Sequence, residues 1–196
     1  MATGATRNNG LDSWSTCVRT GERAALALVD IGAVERLIEA FRTTESWKVR
    51  LHAVCGFANS PDPAVEEAVI KALSDSKAEV RRAAARAFDL LYIVEMSRLS
   101  QVMSRPKDPR AIDALIAALR DKDRWTRQSA AGALEHRLAA RAIEPLIAIL
   151  DDKREIREAA AKSLKRVTGQ DLGEDQATWQ RWWNDNRETL ELPGRR

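Results

Sequence analysis

Aspartate and arginine recur along the chain at one offset. Asp75 precedes Arg81, Asp121 precedes Arg127 and Asp151 precedes Arg157, each acid six positions ahead of its arginine. An acid so placed can cap a helix, and it can pair with the guanidinium of a neighbouring unit through two charge-assisted hydrogen bonds. Because the same pair returns in every regular unit, it reads as the register between units and not as catalytic machinery. Other chemistry-bearing side chains are sparse. His52 and His136 stand in different units, and the sequence holds no Ser-His-Asp set, no glycine-rich phosphate loop and no zinc spacing. Cys17 and Cys55 are far apart with no CxxC, the pattern expected of two reduced thiols. No catalytic, cofactor-binding or metal-ligating residues are expected.

The aromatic residues divide into two groups. Trp47 and Trp125 open equivalent segments beside basic residues, Lys48 and Arg127. That combination can stack on nucleic acid bases, and it can equally cover a junction between packed helices. Trp179, Trp182 and Trp183 follow at spacings of three and one, which sets two rings on one helical face, suited to sealing an open apolar end. A separate stripe, Tyr92, Met96, Leu99 and Met103, advances by four, three and four residues. It predicts a narrow apolar helix face that packs back on the protein or is offered to a partner.

These side chains need a scaffold, and the segment 108–167 displays it twice. An alanine-rich helix with a charged first turn (DKDRWTRQSAAGAL) alternates with a leucine- and isoleucine-rich helix ending in aspartate (AIEPLIAILDD). Each helix is too short and too one-sided to stand alone, so stability must come from stacking one pair on the next. Arg50, Arg81, Arg127 and Arg157 align as repeat markers at steps of about 31, 46 and 30 residues, the long step being one period plus an insertion. The predicted fold is all-α, a right-handed α-solenoid of stacked antiparallel helix pairs with a tryptophan-rich C-terminal cap. The expected organisation is a polar arm over 1–15, a repeat array over 16–168, a capping segment over 169–187 and a polar tail over 188–196. Within the array the pairs fall at about 18–43, 45–75, 76–121 with an insertion at 89–107, and 122–152, followed by a final helix at 153–167.

Composition agrees, with 44% hydrophobic, 31% charged and 5% aromatic residues, the balance of a soluble helical protein. The net charge of +3 and pI near 9.1 come from interleaved acids and bases, with no basic tail for nucleic acid or membrane. The N-terminus lacks a signal-like apolar core and no apolar run reaches the roughly 20 residues of a membrane span, so a cytoplasmic location is expected. Charge separates by helix type, about +9 over the alanine-rich segments and about −4 over the leucine-rich ones. If the leucine-rich helices line the concave side, that surface presents Glu35, Glu39, Glu66, Glu67, Asp113 and Glu144 to a basic or mixed protein partner.

The pattern of Asp, Val-Arg and A-A-x-A-L, followed by A-V-x-x-L-I-x-x-L-x-D, resembles the short HEAT-like repeats first described in phycobilisome lyases. Asp75 with Val80 and Arg81, Asp121 with Arg127, and Asp151 with Ile156 and Arg157 carry the match, while Thr44 replaces the acid before Val49 and Arg50. The TGQDLG…W…WW ending is similar to the terminal element of many bacterial members. What the resemblance implies is a protein-interaction scaffold or adaptor without cofactor or activity of its own. It also admits a phycobilin lyase or chaperone-like subunit and, through HEAT-like alkylpurine DNA glycosylases, a DNA-binding protein. HEAT-like deoxyhypusine hydroxylases hold two irons through repeated His-Glu pairs, and the lone reversed Glu135-His136 here cannot supply that site. The expected partner is another protein, with neither nucleic acid nor membrane.

Overall fold

Alanine and leucine at helical spacing, bounded by Asp, Ser and Gly, build nine α-helices and no strand among the described residues. The computed structural model describes residues 34–58, 60, 62, 64–97, 108–137 and 139–188; of residues 92–97 it describes the backbone alone. In chain order the helices are α1 (Val34–Thr43), α2 (Trp47–Phe57), α3 (Ala64–Ala72), α4 (Ala78–Ser97), α5 (Pro109–Ala118), α6 (Arg124–Glu135), α7 (Ile143–Ala148), α8 (Arg154–Thr168) and α9 (Gln176–Asn186). Even-numbered α2 to α8 are the alanine-rich type, and odd-numbered α1 to α7 the leucine-rich type. Their ends follow from local chemistry. Asp108 caps α5 by accepting from the Arg110 N–H at 2.8 Å, with Pro109 supplying the first helical residue. Asp123 caps α6 through Thr126 N–H at 2.8 Å, and Gly169 ends α8 in the left-handed region at φ 75°.

Successive helices pack as antiparallel pairs, and the pairs stack into an α-solenoid around one continuous seam. Val54, Phe57, Val69, Phe88, Leu115, Leu134, Leu146 and Leu164 lie fully buried along it. The two layers differ in spacing. The alanine-rich helices pack closely from one pair to the next, whereas successive leucine-rich helices touch only sparsely. Side-chain size is the cause: Ala83, Ala84, Ala87, Ala130, Ala131 and Ala160 are buried at the contacts and let the backbones approach. Close approach is then locked by the Ser163 hydroxyl on α8, which donates to the Ala131 carbonyl on α6 at 2.6 Å. The alanine-rich helices thus form the close-packed inner layer and the leucine-rich helices the looser outer one.

Glu35, Glu39, Glu66, Glu67, Asp113 and Glu144 sit on α1, α3, α5 and α7, all in the leucine-rich layer, as their sequence pattern predicts. The cysteine expectation needs correction. Cys55, buried on α2, is disulfide-bonded, which removes the thiol-based ground for a cytoplasmic location. The predicted polar arm, the first helix of the first pair and the polar tail from 189 onward lie outside the described residues. So do Leu99 and Met103 of the apolar stripe. Tyr92 and Met96 fall on the part of α4 described by its backbone alone, and α4 does outrun its siblings, through Ser97. Among the described residues no helix is long and apolar enough to cross a membrane.

Candidate functional site

The arginine ladder joins each pair to the next. Arg50 grips Asp75 with Nε–Oδ2 at 2.6 Å and Nη2–Oδ1 at 3.0 Å, and Arg81 grips Asp121 at 2.6 and 2.9 Å. Arg127 repeats the fork on Asp152, at 2.7 and 3.1 Å. Each arginine also donates backward to the carbonyl oxygens six and five residues earlier, as Arg81 does to Asp75 at 2.8 Å and Ser76 at 3.3 Å. The third acid is therefore Asp152, and Asp151 lies exposed. The reason is local: α7 tightens into a 3-10 turn over Ile149–Asp151, and the first residue to leave it in extended backbone is Asp152. Arg157 reaches Glu174 at 2.8 Å, carrying the pattern into the C-terminal segment with glutamate in place of aspartate.

The acids of the ladder are held ionised. Burial alone would push the Asp121 carboxyl up, but the Arg81 guanidinium and the Asp123 N–H outweigh it and hold the group below the usual carboxylate range. Asp75 is likewise lowered against its burial by Arg50 and the Lys77 N–H. At Asp152 the Arg127 hydrogen bonds are the largest influence, and the direction is again down.

A second cluster forms on the solvent faces of the inner helices. There α4, α6 and α8 line an open groove of about 470 Å³. Arg82, Arg86 and Asp89 come from α4, Trp125, Gly132 and Glu135 from α6, and Lys162 from α8, with His136 at the end of α6. Arg82 is forked on Asp123, its Nη2 lying 3.1 Å from Oδ1, and Lys162 pairs with Glu135 at 3.1 Å. Asp89 differs from every acid in the ladder. Its Oδ1 is shut away from water and meets no hydrogen-bond partner. Burial pushes the carboxyl up to about 7, against the pull of Arg86, Lys162 and Arg137 and with Glu135 adding to the rise. Gly132 faces it: a Cβ there would stand 3.8 Å from Asp89 Oδ2, in ordinary van der Waals contact.

Sequence reasoning singled out Trp125 but passed over Asp89, Arg86 and Lys162. A signal was present. These residues occupy the fifth and eighth positions after the repeat-marking arginine, the places where other units carry Cys55, Gly132 and Glu135. Trp125 is not an open stacking platform, because the Arg124 guanidinium lies 4.5 Å and that of Arg82 5.8 Å from its ring. Trp47 is half-buried and packs on the core of the array. On the outer layer Glu66 is paired with Arg137 at 3.1 Å, Asp113 with Arg141 at 3.1 Å and Glu67 with Arg42 at 3.8 Å, while Glu35, Glu39 and Glu144 are exposed.

The last helix closes the array. Trp179 is fully buried, donates from Nε1 to the Gly173 carbonyl at 2.8 Å and meets Trp182 edge-on at 5.7 Å between centroids. Trp182 and Trp183 pack half-buried on the core. Asp175 caps α9 through the Thr178 N–H at 2.7 Å, and the Gln176 amide donates to the Ile147 carbonyl at 3.0 Å, tying α9 to α7. Among the described residues no group of three or more His, Cys, Asp or Glu is placed to hold a metal ion.

Comparison with known proteins reaches the same architecture from outside. A family described as HEAT repeats matches residues 34–91 and 97–165, more than half of the chain. Among solved structures, the crystal structure of an engineered protein from a structural genomics consortium is similar, with a TM-score of 0.58 and 21% identity over 75% of this chain and 67% of that one. At that identity the likeness carries the fold alone. No curated protein matches.

Proposed function

Since the chain belongs to the HEAT-repeat family, its build is that of a repeat scaffold, and we propose that it is an adaptor that holds an acidic segment of another protein along its inner face. The observation that carries this reading is the net charge of the alanine-rich layer, about +9 over its four regular segments, which exceeds the acids that answer Arg82 and Lys162 there. Complementary potentials of this kind steer a partner and set its register. The acidic outer layer serves less well, because Glu66, Glu67 and Asp113 are already answered by arginines of the same chain. No catalytic role is assigned.

Two other readings are separated by experiment. Duplex or single-stranded DNA needs many unanswered cations to release counterions, whereas here Arg50, Arg81, Arg82, Arg127 and Lys162 each face an acid. A phycobilin lyase or chaperone-like subunit rests on the repeat resemblance and would shift the absorbance of added bilin. The deciding measurement is fluorescence anisotropy of a labelled glutamate-rich peptide against the full chain, beside a basic peptide and DNA of equal charge. The acidic peptide should bind best, and Arg124→Glu with Lys162→Glu, both exposed, should weaken it about tenfold or more. Equal binding of all three probes would remove the reading.

A further inference from the structure

The described joints between units are each made by an arginine that grips the acid opening the next unit, Arg50 on Asp75, Arg81 on Asp121 and Arg127 on Asp152. Ahead of α2 that acid is missing. Thr44 stands in its place, as the geometry shows: its carbonyl accepts from Arg50 Nη1 at 3.3 Å, just as the carbonyls of Asp75 and Asp121 accept from Arg81 and Arg127, both at 2.8 Å. A threonine offers no carboxylate to a guanidinium, so the joint by which the first unit meets α2 has no seat for a charged fork.

Cys55 stands at that joint. It occupies the fifth position after its repeat-marking arginine, and the residues at the same position of α6 and α8 face the alanine-rich helix of the preceding unit, Gly132 toward Asp89 on α4 and Lys162 paired with Glu135 on α6. Cys55 on α2 therefore faces what precedes α1 in the chain. It is buried and disulfide-bonded, and the sequence holds one other cysteine, Cys17. We infer that a Cys17–Cys55 disulfide fastens the N-terminal segment to α2 in place of the arginine-aspartate fork, and that a thiol reductant undoes this joint alone, which makes the first unit a redox-releasable end of the array. Nothing in this depends on the partner proposed above.

The chemistry is a two-electron exchange. A dithiol reductant gives up two electrons and two protons, the S–S bond breaks, each cysteine sulfur is left as a thiol, and the reductant closes into its own disulfide. The three described forks contain no sulfur, so the same reagent leaves them in place. The bond closes a loop over residues 18–54, and opening a loop of that length should lower the melting temperature by about 10 °C.

The test takes the full chain equilibrated in an oxidising glutathione buffer, its remaining thiols then alkylated. Tryptic mapping should find peptide 8–19, which holds Cys17, joined to peptide 51–71, which holds Cys55, in material that runs as a monomer on a non-reducing gel. Dithiothreitol should separate the two peptides. In the intact chain it should lower the melting midpoint by about 10 °C, and untreated Cys17→Ser should already melt at the reduced wild-type temperature. Limited proteolysis should show cleavage at Arg19 and Arg23 accelerated about tenfold by reduction, with the remainder of the array still resistant. Alkylated thiols at both positions, a dimer linked through Cys55, or cleavage at Arg19 and Arg23 that reduction leaves unchanged each overturns the inference. So does reduction that opens 64–188 to cleavage as fast as the N-terminal segment, because the joint would then not yield alone.

Discussion

Asp121 and Asp89 are the same side chain in two surroundings some way along one array. Asp121 receives two bonds from Arg81 and one from the Asp123 N–H, and sits below the ordinary carboxylate range despite its burial. Asp89 has cations nearby, but its buried oxygen meets no donor, and it rises to about 7. The difference teaches that directed hydrogen bonds, and not proximity of opposite charge, decide whether a buried acid stabilises this fold. The ladder spends its acids on holding pairs together; the cavity keeps one in reserve.

The hardest blow to that comparison is Arg81→Ala, which strands the Asp121 carboxylate among buried groups. It should cost about 3–5 kcal/mol, seen as a lower midpoint in urea, and an unchanged midpoint would place the ladder among decorative surface pairs. Asp89→Asn should act with opposite sign. A group whose folded pKa is raised destabilises the native state as pH climbs from the unfolded value near 4 to the folded value near 7, and the penalty persists above it. Removing the charge should therefore add up to about 4 kcal/mol at pH 8 and only about 1.5 kcal/mol at pH 5, read from melts at the two pH values. The ladder acids, with lowered folded values, contribute stability above pH 4 that is lost as pH falls through those values. Acid melting of the array should thus begin below about pH 4 in wild type and Asp89→Asn alike, as ellipticity against pH would record. The smallest effect belongs to Arg157→Ala, whose pair with Glu174 is well exposed, and which should shift stability by about 1 kcal/mol or less.

The architecture was legible because each unit repeats its own instructions. Arg50, Arg81, Arg127 and Arg157 marked the period, the alanines marked the contact face, and the run from Asp175 to Trp183 announced a cap with its helix start in place. What escaped the sequence depended on geometry summed over several helices. The choice of Asp152 over Asp151 turns on a single tightened turn at Ile149–Asp151. How near α4, α6 and α8 come to one another is a property of stacked alanines rather than of any one helix alone. Asp89 looked like an ordinary polar residue beside Phe88. Its surroundings include Gly132 and Lys162, more than 40 residues away in the chain.

Arg157 meets Glu174 as Arg127 meets Asp152, so the terminal segment docks through the same joint that links one pair to another. A protein assembled in that fashion has an editable length. A copy of 122–152 spliced ahead of Lys153 would find a fitting socket on both sides, and the molecule could grow by whole units while its two ends stayed as they are.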